Sequence, residues 1–208
     1  MRRFLLALLL ASGAAQAAIE VIDDQGQTLR LAQPARRIVS LAPHVTEMLF
    51  AAGAGERIVG AVQYSDYPEA AKKIPRVGSY TAVDMEKVAA LKPDLVVAWQ
   101  SGNRDTHLDK LKALGIPVFV NEPRRIDDVA KIVAQLGRLA GTEAVGDAAA
   151  QAFRKRHAAL AAKYSARPPV RIFYEAWNRP LMTVNGEHLI SDVIRLCGGD
   201  NVFGDLAA

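Results

Sequence analysis

The 208-residue chain has a single cysteine, Cys197, so no disulfide can form within it. It needs none, because a chain of this length buries roughly two thirds of the surface its unfolded form exposes. No apolar run approaches the ~20 residues needed to cross hydrocarbon, so no membrane span is expected. There is no Gly-x-Ser-x-Gly elbow, Cys-x-x-Cys, His-Glu-x-x-His, phosphate-binding loop or Gly-x-Gly-x-x-Gly. The common motif-borne enzyme mechanisms therefore lack support. Aromatic residues make up only 6% of the chain, few enough that the place of each carries information. At 50% hydrophobic and 23% charged, the composition is too apolar for disorder.

Charge of one sign is also scarce. The 26 basic and 22 acidic residues give +4, with a pI near 9.3 that invites a nucleic-acid reading. Residues 1–17 carry half of that excess. Arg2 and Arg3 precede the apolar stretch 4–11, and Ala15-Gln16-Ala17 supplies the small residues a signal peptidase accepts, so 1–17 reads as a cleaved export signal. Without Arg2 and Arg3, two fewer than the 26 basic residues remain and the balance is +2. Lys72-Lys73, Arg124-Arg125 and Arg154-Lys155-Arg156 are interspersed with apolar and acidic residues, a pattern of solvated faces, and no nucleic-acid partner is expected. Export leaves three readings for Cys197: a free thiol, an intermolecular bridge, or a partner in sequence outside this chain.

What the chain does have is a rhythm of short apolar runs and helical stretches. Asp23-Asp24-Gln25-Gly26, between alternating runs, predicts a hairpin over 19–31. Short buried strands follow at 38–41, 58–62, 95–99 and 117–120. Helical patterns separate them: 45–52, a helix capped by Asp84 with Met85, Val88 and Leu91 on one face, and one with Leu108, Leu111 and Leu114 closed by Gly115. Such strands imply a parallel sheet covered on both faces, an α/β fold. Residues 126–164 are helical in pattern, broken only at Gly141-Thr142 and ended by Pro168-Pro169. A second strand-led unit begins at 170–175 and includes a helix over 189–196 stopped by Gly198-Gly199. Its elements are too few to close a core. The expected organisation is signal peptide 1–17, N-terminal α/β lobe 18–125, helical connector 126–166 and a truncated C-terminal α/β lobe 167–208.

Catalytic constellations are thin. Ser40 and His44 flank Pro43, but no acid is placed to orient the histidine. His44 and Glu47, at i and i+3, offer only two metal ligands, and an exposed histidine beside a carboxylate at a helix start accounts for them. His107, His157 and His188 read as solvated. Cys197 falls on the apolar side of its helix, where a thiol packs more often than it reacts. The aromatics differ. Ligands of open parallel sheets bind at the carboxyl ends of strands. Tyr64 follows the second strand, Trp99 ends the third, Tyr80 precedes the Asp84 helix, and Tyr174 and Trp177 close the first strand of the second unit. Core packing or a turn would explain each singly. Their convergence on one edge favours a site for a large, partly apolar ligand.

Several runs carry a family likeness: Arg37-Ile38-Val39-Ser40-Leu41-Ala42-Pro43, Thr46-Glu47, Ala51-Ala52-Gly53, Val59-Gly60, Tyr64-Ser65-Asp66-Tyr67-Pro68, Leu91-Lys92-Pro93-Asp94-Leu95-Val96 and Gly198-Gly199-Asp200-Asn201-Val202-Phe203. Together they resemble the periplasmic binding proteins for iron complexes and cobalamin that serve ABC importers, from about residue 21 to the end. The runs 64–68 and 98–103 are most similar to the cobalamin-binding members. The resemblance implies a two-lobed monomer with parallel-sheet lobes joined by a long helix. It would take cobalamin (vitamin B12) as cargo, use no cofactor or metal of its own, and deliver it to the permease.

By position Tyr64 and Trp99 match two rings that flank the corrin, and Tyr80 stands where the cobalamin binders carry tryptophan. Trp177 joins them from the residue pattern. Glu86 matches a carboxylate that docks to permease arginines; its bare reading is a helix-start carboxylate favoured by the dipole. The partner of Cys197 is then expected outside this sequence. Two rival cargoes belong to the same family: haem, held by Tyr80 or His44, and a ferric siderophore, held by Arg104 or Arg124. An exported enzyme on an α/β sheet is the rival from another class, and its nucleophile with a placed base is missing.

Overall fold

A computed structural model describes residues 18–164 and 166–207. The signal-peptide segment 1–17 lies outside the described residues. The first element is an antiparallel hairpin of β1 (Ile19–Ile22) and β2 (Thr28–Leu31). Its turn is held by the buried Asp23 carboxylate, which accepts from the backbone N–H groups of Gln25 (3.0 Å) and Gln27 (2.8 Å).

The sheet that follows contains β3 (Ile38–Ser40), β4 (Ile58–Ala61), β5 (Leu95–Trp99) and β6 (Val118–Asn121), all parallel, in the order β4-β3-β5-β6. Alternate residues point to opposite faces. Leu95, Val97 and Phe119 pack with α1 (Pro43–Ala51), α4 (Ile126–Ala140) and the hairpin, whereas Val96, Ala98, Val118 and Val120 pack with α2 (Met85–Ala90) and α3 (Asp105–Ala113). Both faces are dry, which is why these strands are apolar throughout rather than alternating. The chain steps from β3 to β4 in one direction and from β5 to β6 in the other, so the topology reverses between β3 and β5.

The helical stretch is two helices, α4 and α5 (Glu143–Tyr164), split at Gly141, whose φ of 66° ends α4 in a left-handed cap. The helices touch backbone to backbone: a Cβ on Gly137 would sit 3.0 Å from the Gly146 Cα. In α5 the helical spacing of Val145, Phe153 and Leu160 predicts a covered face, yet all three are exposed and only Gly146 and Ala150 are buried.

The last unit pairs β7 (Val170–Ile172) with β10 (Gly199–Asn201) in parallel, with a small hairpin of β8 (Trp177–Asn178) and β9 (Leu181–Met182) and helix α6 (Leu189–Leu196) between them. The strand expected over 170–175 stops at Ile172, because β10 offers it only three residues to pair with. Trp177 therefore does not close that strand but opens the next hairpin. Cys197 is not on the apolar side of its helix either: it is the exposed C-cap of α6. Among the described residues no helix is long and apolar enough to cross a membrane.

Candidate functional site

In open parallel sheets the crevice lies at the carboxyl ends of the strands where the strand order reverses. Here that places it between the loops after β3 and β5, and these loops bring His44 and Trp99 together. His44 is the second residue of α1, just past Pro43, and Trp99 ends β5. Their rings meet edge to face, with centroids 5.2 Å apart and planes at 88°. The Tyr80 ring also approaches Trp99, with centroids 5.8 Å apart and planes at 47°.

His44 and Trp99 line a cavity of about 530 Å³ whose wall also includes Met48, Val129 and Leu189. That volume falls in the range of small-molecule sites. Its polar groups are Glu47, Ser101, Glu122 and Arg124 from the first unit and Asn185, Glu187 and His188 from the last. Arg124 reaches across to Glu187 at 3.9 Å, with both side chains largely exposed.

Buried amides position the rings. Asn103 takes the Trp99 backbone N–H on its Oδ1 (2.7 Å) and donates from Nδ2 to the carbonyls of Leu41 (3.0 Å) and Tyr80 (2.8 Å). One side chain thus ties together three loops at the crevice. Asn121, fully buried at the end of β6, donates to the Ala98 carbonyl and accepts from His44 Nε2 at 3.2 Å. Burial lowers the His44 pKa below the ordinary histidine value, with the Asn121 hydrogen bond and the Glu122 charge opposing it only in part. Gly102 makes room for the indole, since a Cβ there would overlap the Trp99 ring.

Tyr64 is held differently. Its φ of 64° is left-handed, which a side chain rarely adopts, and its ring is 74% exposed. The next residue is the anchor: Ser65 is buried, its Oγ accepts from Thr46 Oγ1 (3.1 Å), and its carbonyl accepts from Arg76 (2.9 Å). A strained residue over-determined by its neighbours, with its ring turned to solvent, is the arrangement found at binding sites.

Of the aromatics expected to converge on one edge, Trp99 lines the cavity, whereas Tyr64, Tyr80, Tyr174 and Trp177 lie outside its wall. Trp177 is 62% exposed, and its indole N–H donates to the Arg179 carbonyl at 3.0 Å. Glu86 is exposed in the first turn of α2, and Arg104 is exposed ahead of α3, away from the cavity that Arg124 lines. Ser40 is fully buried and bonded to Thr46 and the Ala42 carbonyl rather than to His44, so the two form no nucleophile–base pair. Among the described residues no cluster of three or more His, Cys, Asp or Glu could hold a metal ion.

Sequence reasoning missed Asn103, Asn121 and Gly102. One signal was available: each asparagine is a polar residue set at or just past the carboxyl end of an otherwise apolar strand.

The chain is 39% identical over 176 residues to the vitamin B12-binding protein of Vibrio parahaemolyticus, a match covering 85% of this chain and 64% of that one. It thus spans less than two thirds of the length of the curated relatives it matches. Among solved structures it is similar to the periplasmic vitamin B12 binding protein BtuF of Vibrio cholerae, at 39% identity and a TM-score of 0.79, covering 84% of this chain and 69% of that one. It is also similar to the periplasmic heme-binding protein RhuT from Roseiflexus sp. RS-1, at 26% identity and a TM-score of 0.70, covering 82% and 67%. The family model for periplasmic binding proteins matches residues 38–207, and the chain belongs to that family.

Proposed function

We propose that this chain captures cobalamin in the periplasm and delivers it to an ABC importer, a role of binding and not of catalysis. The observation that carries the reading is the chemistry of the cavity wall. It combines the Trp99 indole with three carboxylates, Glu47, Glu122 and Glu187, against a single guanidinium, Arg124, already facing Glu187. An anionic ligand such as haem, with its propionates, or a ferric siderophore would meet like charge there. A corrin whose rim carries carboxamides meets hydrogen-bond acceptors instead. The relatives named for vitamin B12 point the same way. Haem is the second reading, favoured by the likeness to RhuT.

In this reading Trp99 stacks on the ligand with Tyr80 beside it, and the exposed rings of Tyr64 and Trp177 are presented to its outer parts. Cobalamin is cargo and not a cofactor. Glu86 serves as the docking carboxylate for permease arginines, and exposed Cys197 is free to pair with a cysteine outside this chain. Residues 18–125 act as one lobe, 126–166 as the connector and 167–208 as part of a second lobe. The test is a titration of the purified chain with cyanocobalamin, haemin and a ferric hydroxamate, followed by tryptophan fluorescence. Saturable quenching by cyanocobalamin supports the reading, and quenching by haemin alone sinks it.

A further inference from the structure

We propose that His44 reads the amide rim of the ligand, its Nδ1 accepting a hydrogen bond from a primary carboxamide of the corrin. This rests on the cobalamin reading above and goes beyond it by naming what is recognised and by which atom.

The Asn121 side chain fixes the tautomer. Its Nδ2 is committed to the Ala98 carbonyl, so the atom facing His44 Nε2 at 3.2 Å is Oδ1, which can only accept. His44 Nε2 therefore carries the proton, and Nδ1 of the neutral ring keeps a bare lone pair. Turning the ring over would break the bond to Asn121 Oδ1 and leave that oxygen of a fully buried residue without its partner. Trp99, edge-on at 5.2 Å, further restricts the ring plane.

His44 Nδ1 has no hydrogen-bond partner among the described residues. Fully buried side-chain atoms lacking a partner there are His107 Nδ1 and Gln135 Oε1, so His44 Nδ1 is unpartnered and not sealed. His44 lines the cavity, and the cavity is the space from which a ligand would reach that lone pair. Glu47 and Glu122 on the same wall are acceptors as well. A ligand group presenting N–H is complementary to this wall, and a carboxylate at the same place sets lone pair against lone pair. A site built to bond an N–H discriminates strongly against an analogue lacking it.

The experiment compares cyanocobalamin with its monocarboxylates, in each of which one rim carboxamide is hydrolysed to a carboxylate, by calorimetric titration at neutral pH. The unaltered protein is expected to bind at least one monocarboxylate about tenfold more weakly than cyanocobalamin, the worth of one hydrogen bond. In His44→Leu the affinity for cyanocobalamin falls by about tenfold and the discrimination at that carboxamide weakens by a similar factor, leaving only what Glu47 and Glu122 supply. In His44→Asn, whose Oδ1 can take the place of Nδ1, part of both returns. Equal binding of every monocarboxylate by the unaltered protein, or undiminished cyanocobalamin affinity in folded His44→Leu, overturns the assignment. Glu47 and Glu122 disfavour a carboxylate too, so the series on the unaltered protein can overturn the assignment. It is the weakened discrimination in a folded variant, His44→Leu or, if that fails to fold, His44→Phe, that gives the role to His44. Failure to bind cyanocobalamin at all removes the cobalamin reading and this one with it, whereas tight binding without discrimination removes only the role of His44.

Discussion

The Asp192 carboxylate, on α6, accepts a 2.8 Å hydrogen bond from the backbone N–H of Ile126, the first residue of α4. A side chain 66 residues downstream thus caps the helix that leaves the N-terminal unit. Desolvation pushes the Asp192 pKa up, but the Ile126 N–H, the Arg195 side chain and the charges of Arg125 and Arg195 outweigh it and leave the carboxyl below its ordinary range. A depressed carboxylate contributes stability in full above about pH 4, the unfolded value, and loses it as pH falls through the lower folded value. Asp192→Ala should cost about 1 kcal/mol at neutral pH, typical of a lost cap. The melting curves of variant and parent should converge in acid. A gap that persists unchanged at the lowest pH would show that the carboxylate charge is not what matters.

Replacing Trp99 with alanine should weaken cyanocobalamin binding at least tenfold, ~1.4 kcal/mol, by calorimetry. Gly102→Ala should do much of the same damage without touching the indole chemically, since the added methyl displaces the ring. Undiminished affinity in both would return Trp99 to a packing role.

Tyr64 offers a trade of stability against binding. Tyr64→Gly relieves a left-handed backbone that costs a non-glycine residue on the order of 1 kcal/mol. The thermal midpoint should hold or rise while cyanocobalamin affinity falls. A drop in midpoint would show that the ring supports the fold.

Asn103→Ala removes one acceptor and one forked donor at a buried position, leaving the Trp99 N–H and two carbonyls without partners. The cost should be about 2–4 kcal/mol in denaturant unfolding, given about 1–3 kcal/mol for each buried group left unpaired and some access to water. Near-neutral stability would mean that water replaces the amide easily.

The sheet and most helices were legible in the sequence because local signals agreed with the global fold. Leu95–Trp99 and Leu189–Leu196 fall where the apolar runs and their glycine or proline stops put them. The small hairpin β8–β9 carries only two residues per strand, too few for any periodic signal. The expected strand to residue 175 failed for a non-local reason, the shortness of its partner. At the site, the rule for strand ends led to Trp99 on the cavity wall, whereas Tyr80 touches the Trp99 ring at 5.8 Å but stays outside that wall. Asn103 and Asn121 were invisible, because their roles arise from contacts 62 and 77 residues away that no local pattern encodes. His44 was visible only as one of several ambiguous histidines, since its tautomer is set by the distant Asn121.

Where Gly137 meets Gly146, no side chain separates the backbones of α4 and α5. Rotamers are the usual source of play where helices cross, since side chains can hop between wells while backbones stay put. At that contact the main chains have no such wells to hop between. The bridges Arg138–Glu143 and Asp127–His157, each 3.2 Å, tie the helices on either side of it, so the angle between α4 and α5 behaves as a fixed bracket. Motion that opens or narrows the crevice is then left to the chain outside this pair, such as the short segment that leads from β6 to Ile126.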